Sequence, residues 1–510
     1  MKYSYSITTL HRAGCDDCAF IKKPMTKKLI EDIITKLFDD NRRCVVVMLN
    51  RDGFFDRDDV VTALQYAQVE FAKGNSLDLR ILWETNWKNS QEKKCVFLMQ
   101  EEFEIMEDIR RETEFFSFQT RSMFRFYHWD TIKNESLSKL EWLYNQRQLV
   151  PLDEIKTRDI VSDYGFTENK VDEVMQGVKI DWKQLMSRPN YNKPSEWMQA
   201  ASRLMIKALE FERWHEMEDL IEGTNDFFQD FLKKRYVNVV ASTCPSEAPR
   251  IVTHVLPFIN KQENEKSALV VIDGMNFWQS ILLGNSLEEH FHVRLKYECI
   301  YSWLPSITEL SRQAIFRASS PSDLYIQSPQ SEEKLWREYW ESKKLPKFQQ
   351  FYQHSGSLVV ENSVTKLAYV STDLDEKMHA SENFYYLYDN TKRWVDDKYF
   401  LENIKQLLDL GFTLYITTDH GNIETTPYRR LDVSDKLGAN NISLRHITLP
   451  EEADKALFEA QYEDHFVQID ENSKTYFTIG KETFTNKNAG VTHGGTHWLE
   501  VLVPFITVTK

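Results

Sequence analysis

Apolar residues along this chain keep different periods in different stretches. "KKPMTKKLIEDIITKLFDD" (22–40) spaces them as a helix does, and "CVVVML" (44–49) is a β-rich run leading into the turn and helix start of "NRDGFFDRDD". "VVTALQYAQVEFAKG" (60–74) returns to helical spacing and stops at Gly74, whereas "LDLRILWE" (77–84) and "KKCVFLM" (93–99) predict strands. Strand, helix, strand, strand makes a small α/β domain, taken over 1–134. In "LSKLEWLYNQ", "PSEWMQAASRLMIKALEF" and "DFFQDFLKKRYVNVV" the three- and four-residue spacing predicts a helical region over 135–241, with the "KKR" at 233–235 on its solvated face. Three prolines and a polar run in "STCPSEAPRIVTHVLPFINKQENEK" predict a linker over 242–265. From 266 to 510, beginning with "SALVVIDGMNFW", buried-type strands alternate with helices. That pattern predicts an α/β domain with a mostly parallel sheet flanked by helices.

Bulk properties narrow the functional classes. A chain of 510 residues exceeds one ordinary domain. A net charge of −15 excludes broad non-specific nucleic-acid binding, but not a local basic groove or a metal site that itself neutralises phosphate. Six cysteines in so long a chain are no disulfide framework; Cys44 and Cys95 lie beside predicted strands as small core residues. "CDDC", with Cys15, Cys18 and His11 close by, is half of a zinc site or a redox pair, without a second CxxC to complete it. The first residues lack an apolar signal core and no apolar run reaches ~18 residues. The expectation is therefore a cytoplasmic protein with no membrane partner.

Four features lie near predicted strand ends, where open α/β sheets gather ligands. Asp273 follows the strand in "ALVVIDGM", although Asp-Gly is also a common turn. "LPSITELSRQAIF" (304–316) predicts a loop and a helix, with Ser306 or Thr308 as its cap and Glu309 in its first turn. The sharper reading makes Thr308 a hydroxyl at a helix N-terminus that favours anions, fit to attack phosphorus. In "KLAYVSTDLDEKMH" (366–379), Asp375 and His379 stand four apart and share a helix face, as a metal grip or as an exposed ion pair. "FTLYITTDHGN" (412–422) ends in Asp419-His420, and "NAGVTHGGTHWLEVLVPFI" sets His493 before a Gly-Gly bend, with His497 as its rival. Each has an ordinary structural explanation when taken singly. Together three Asp, three His and one Thr suffice for two divalent ions, a pair that sits about 3.5–4 Å apart where it clamps an in-line displacement at phosphorus. Mixed oxygen and nitrogen donors favour Zn²⁺, with Mn²⁺ second, over Mg²⁺ or Ca²⁺.

In this order, "VVIDGM", "LPSITEL", "DEKMH", "TTDHGN" and "THGGTHWLEVLVP" resemble the PglZ branch of the alkaline phosphatase superfamily, over about 266–510. The first half resembles, more loosely, the N-terminal region of PglZ proteins from BREX phage-defence systems. The resemblance implies an alkaline-phosphatase-like α/β fold with one metal on Asp375, His379 and His493. It implies a second metal on Asp273, Asp419 and His420, with Thr308 bridging to it as nucleophile. Many PglZ domains carry an Arg shortly after the first metal Asp, where this chain has Asn276. Asn276, Arg312, Arg317 and His497 are accordingly the candidate substrate contacts. The implied activity is metal-dependent hydrolysis of a phosphodiester, nuclease-like, on an oligonucleotide or cyclic nucleotide. Other phage-defence proteins are the implied partners and a homodimer the implied assembly. "SEEKLWREYWESKKLPKFQQFYQ" (331–353) reads as helical, either a cap that stacks bases or a plain packing pair. Rival readings are a non-catalytic scaffold with a structural metal, and a phosphomonoesterase or sulfatase on the same core; sulfatases typically need Cys or Ser where Thr308 stands.

Overall fold

The computed structural model describes residues 28–38, 43–88, 94–146, 148, 150–187, 189, 194–322, 325–431, 438–462, 465–469, 474–487 and 490–510. His11, Cys15 and Cys18, and with them the expected zinc or redox role, lie outside these residues. The chain divides into two compact units, Met1–Val174 and Met175–Lys510. The sequence reading places boundaries at 134, 241 and 265 instead. The segment expected as a linker is packed from Ile251 onward: Val252–His254 is a 3-10 turn and Val255–Lys261 a helix, burying Val252, Val255, Leu256, Phe258 and Ile259.

In the first unit, β1 (Val45–Asn50), β2 (Val69–Gly74), β3 (Lys94–Met99) and β4 (Glu114–Phe118) form a parallel sheet in the order β2-β3-β1-β4. Two expectations are corrected here. The helix expected over 60–74 is Asp58–Tyr66 followed by β2, the chain turning at Gln68 with φ +59. The strand expected over 77–84 is a helix, Ser76–Leu82. Asn75 caps it, its side chain accepting from the N–H groups of Leu77 and Asp78, while Asp78 accepts from the N–H of Asn75. Leu79 and Trp83, one turn apart, are buried, while Leu77 is 62% exposed. The apparent alternation therefore conceals a helix period.

The second unit is built on a six-stranded sheet: β5 (Ser267–Ile272), β6 (Arg294–Tyr301), β7 (Gln350–His354), β8 (Lys366–Ser371), β9 (Thr413–Thr417) and β10 (Leu502–Thr509), in the order β6-β10-β9-β5-β8-β7. β7, β8, β5 and β9 run parallel, and β10 runs antiparallel to both β9 and β6. Every residue of β5 is buried, which explains its unbroken apolar run. Leu283 and Leu287 of helix Phe277–Phe291 and Ile404 and Leu407 of helix Lys398–Asp409 share a core with Val270, Leu414 and Ile506. The stretch 331–353 is a helix only at first: Pro329–Ser342 is helical, and β7 follows. Trp336 and Trp340 are buried and serve packing, whereas Phe348 is exposed. Between β9 and β10 the chain makes a small antiparallel sheet with its own core around Ile447, Phe458 and Tyr476. No helix among the described residues is long and apolar enough to cross a membrane.

Candidate active site

Because β8, β5 and β9 are parallel neighbours, their carboxyl ends lie side by side. Each strand leads at once into a polar turn: Asp273 after β5, helix Asp373–His379 after β8, and Asp419-His420 after β9. Gly274 adopts φ +68 and donates its N–H to Asp419 Oδ1 at 3.1 Å. A Cβ at Gly274 would stand 2.9 Å from Asp375 Oδ1, so glycine is what lets three acidic side chains converge.

Thr308 reaches the same place from the opposite side. The expectation that Ser306 or Thr308 caps helix Thr308–Arg317 is corrected: Ile307 is the N-cap and no side chain caps it. Ser306 Oγ instead donates to Gly495 O at 2.9 Å and accepts from Gly494 N at 3.2 Å, holding the Gly-Gly bend. Freed from capping, Thr308 Oγ1 lies 3.5 Å from Asp273 Oδ1 and 3.1 Å from His420 Nε2.

Two histidines are locked by the backbone. His420 Nδ1 donates to Gly421 O and His493 Nδ1 to Ser306 O, both at 2.9 Å. A proton fixed on Nδ1 leaves Nε2 bare, the form that ligates metals. The two rings stack with centroids 3.8 Å apart. Ligand atoms of Asp375, His420 and His493 lie within 4.8 Å of one another, and so do those of Asp273, Asp419 and His420. His420 thus belongs to both groups. His379, half-exposed, has Nε2 3.6 Å from Asp375 Oδ1 and its ring 5.3 Å from that of His493.

The charges fit divalent cations. Asp375 Oδ1 and Asp419 Oδ2 are buried without a hydrogen-bond donor, an arrangement that is costly unless a cation answers it. Burial, with the charge of Asp419, pushes Asp273 well above the usual carboxylate range. Burial also raises Asp375, against the pull of His420 and His379. Burial works against ionisation of Asp419 too, but His420 and Arg312 outweigh it and hold that carboxyl low. Burial, with the neighbouring His420, keeps His493 neutral and ready to ligate.

The four candidate substrate contacts are placed differently from expectation. Asn276 is wholly buried and caps helix Phe277–Phe291; its Oδ1 accepts from Trp278 N and its Nδ2 donates to Asn422 O and Leu499 O, which leaves nothing for a ligand. Arg317 sits at the far end of the helix from Thr308, about 14 Å along at 1.5 Å per residue. His497 caps the turn Trp498–Val501 through Nδ1, with Nε2 3.6 Å from Glu222, and is in neither ligand group. Arg312 does belong to the site, but it faces protein: Nη2 lies 3.1 Å from Asp273 Oδ2, and Nε 3.6 Å from Asp419 Oδ2 and 3.2 Å from Glu332 Oε1.

Sequence reasoning misses three residues. Glu332 is fully buried against Arg312 and accepts from Tyr352 OH at 2.6 Å. Arg445 and Glu500 form a wholly buried pair at 2.8 Å, and Glu500 also accepts from Gly495 N at 2.9 Å and His497 N at 3.2 Å. That pair fixes the bend following His493. Nothing in the local sequence separates Glu332 from its partly exposed neighbour Glu333, or Arg445 from other arginines.

The family model described as "BREX system PglZ alkaline phosphatase-like domain" matches residues 251–508, which takes in every ligand candidate above. No curated protein matches the chain. Among solved structures, murine ectonucleotide pyrophosphatase / phosphodiesterase 5 is 11% identical, with a TM-score of 0.33, over 48% of this chain and 88% of that one. Phosphonoacetate hydrolase from Sinorhizobium meliloti 1021, in complex with phosphonoformate, is 13% identical, with a TM-score of 0.31, over 48% of this chain and 89% of that one.

Proposed function

The chain belongs to the PglZ family of alkaline phosphatase-like domains, and from that premise we propose that it hydrolyses phosphodiesters with a two-metal site and Thr308 as nucleophile. The observation that carries the reading is the position of Thr308 Oγ1, at a helix N-terminus and within 3.5 Å of both Asp273 and His420. Asp375, His379 and His493 would hold one ion, and Asp273, Asp419, His420 and Thr308 the other. Bound divalent ions supply a lowered pKa for a coordinated hydroxyl and neutralise phosphate charge.

The chain's own residues do the rest. Thr308 Oγ, giving up its proton to solvent, forms the new bond to phosphorus as the bond to one ester oxygen breaks and that oxygen leaves as an alcohol; the resulting threonine phosphodiester still carries the other ester group, and water then cleaves it from Thr308. The free N–H groups at the start of helix Thr308–Arg317 favour the phosphoryl oxygens. Gly494 and Gly495, held by Ser306 and Glu500, keep His493 in register with Thr308. Oligonucleotides or cyclic nucleotides are the proposed substrates and phage defence the proposed setting, a reading that kinship with the family supports.

Hydrolysis of bis-p-nitrophenyl phosphate and p-nitrophenyl phosphate, with EDTA and with added Zn²⁺ or Mn²⁺, tests the proposal. Metal-dependent diester turnover that disappears in Thr308→Ala and Asp419→Ala is the expected result. Preference for the monoester would move the reading to a phosphomonoesterase. Metal binding without turnover of either ester would move it to a scaffold.

A further inference from the structure

The carboxylates of the Asp273–Asp419–His420 group are each restricted to one free oxygen, and by different means. Asp419 Oδ1 is saturated: it accepts from Gly274 N at 3.1 Å, His420 N at 3.0 Å and Thr418 Oγ1 at 3.1 Å. Only Asp419 Oδ2, buried and without a donor, is left for a cation. Asp273 has no such set of donors. Its Oδ1 faces Thr308 Oγ1 and His420 Nε2, and its Oδ2 lies against Arg312 Nη2 at 3.1 Å. Arg312 is therefore the group that withholds the second oxygen of Asp273.

Arg312 is itself anchored by Glu332, at 3.2 Å from Nε, and Glu332 is held by Tyr352. Glu332 lies on helix Pro329–Ser342, which belongs to the chain between the nucleophile and Asp375. With one oxygen from each carboxylate, His420 Nε2 and Thr308 Oγ1, the group offers four donors. Four mixed oxygen and nitrogen donors suit Zn²⁺, whereas ions of higher coordination number gain from bidentate carboxylates.

We infer that the Arg312–Glu332 pair selects the metal at this position, by holding Asp273 to one oxygen and so disfavouring ions that need more than four ligands. The inference rests on the two-metal reading above, but concerns ion choice alone and needs no substrate. Arg312 acts through Asp273 and is a positioning residue. Its positive charge weakens all divalent ions together, so charge alone leaves the ratio of affinities unchanged.

Isothermal titration of the whole chain with Zn²⁺ and with Mn²⁺ tests this, the relevant site being the one abolished in Asp273→Asn. In Arg312→Met/Glu332→Gln, which removes both buried charges together, the preference for Zn²⁺ over Mn²⁺ is expected to fall at least about 10-fold. Arg312→Lys keeps the charge but not the planar fork, and should lose preference in the same direction. A metal-free melting curve confirms that each variant folds. A ratio within about twofold of wild type in both folded variants overturns the inference, even where both affinities have moved. A wild-type chain that binds neither ion overturns the metal reading and the inference with it. Binding with intact preference but no ester turnover leaves the inference standing and sinks only the proposed activity.

Discussion

Both units place an Asp-Gly pair just after a strand whose two neighbours run parallel to it, and the two aspartates have opposite fates. In the first unit Asp52-Gly53 follows β1, with Gly53 at φ +73. Its carboxylate accepts from Thr120 Oγ1 at 3.3 Å and Arg121 N at 3.4 Å, and also from Thr120 N, closing the loop after β4. In the second unit Asp273-Gly274 follows β5, with Gly274 at φ +68. Its carboxylate meets Asp419, Asp375, His420 and Thr308 instead. The dipeptide specifies a turn in both places. Chemistry arises where neighbouring strands deliver further acids to the same end of the sheet, and where backbone donors do not satisfy them.

The contrast is broken most directly by the matched pair Asp273→Asn and Asp52→Asn. The first should lower ester hydrolysis at least about 10³-fold. The second should leave kcat/KM unchanged and cost about 1 kcal/mol in urea unfolding, the scale of a weakened hydrogen-bonded turn. If Asp52→Asn abolishes turnover, the two turns are not the different things described. Next in size is Arg445→Met, which strands the fully buried Glu500 without its partner. It should destabilise the second unit by about 3–5 kcal/mol, and Arg445→Met/Glu500→Gln should recover much of that. Such a loss would place the same sort of buried ionic dependence beside His493 that Asp52 lacks.

Acid gives a smaller and signed effect. Burial pushes His446 down to about 4, whereas unfolded it titrates near 6.5. The unfolded chain therefore binds the extra proton between those values. His446 contributes its full stability above about pH 6.5, and that contribution is lost as pH falls toward about 4, by at most about 3 kcal/mol. With EDTA present, the fall in the urea midpoint over this window should shrink in His446→Gln; an identical fall would assign the acid sensitivity elsewhere. Smallest of all, Arg317→Ala should change neither KM nor kcat beyond about twofold, since it stands a helix length from Thr308. A larger effect would restore it as a substrate contact.

The ligand candidates were legible because short apolar runs ended by Asp, Thr or Gly mark strand ends, and parallel strands gather those ends. β5, β8 and β9 are read correctly on that pattern. Residues 77–84 are not, because Leu77, Leu79 and Ile81 alternate by type while only Leu79 turns inward, and the deciding signal is the Asn75–Asp78 cap. At 69–74 the apolar spacing fits either period, and sheet pairing with β3 decides. Asn276 and His497 are polar residues at helix starts whose partners, Leu499 and Glu222, are distant in sequence. Glu332, Arg445 and Glu500, and the protein-facing role of Arg312, are invisible for the same reason: burial makes an ion pair matter, and burial is a property of the assembled fold.

The placement of β10 has a consequence for synthesis. It is the last of the six strands to be made, yet it lies inside the sheet, between β6 and β9, and the chain from His493 reaches it through the Gly-Gly bend and the turn Trp498–Val501. While the ribosome is still translating, β9 has no neighbour on that side, and nothing presses the Gly494–Gly495 bend against Ser306. Vectorial growth thus leaves the cluster of Asp, His and Thr side chains unassembled until β10 emerges.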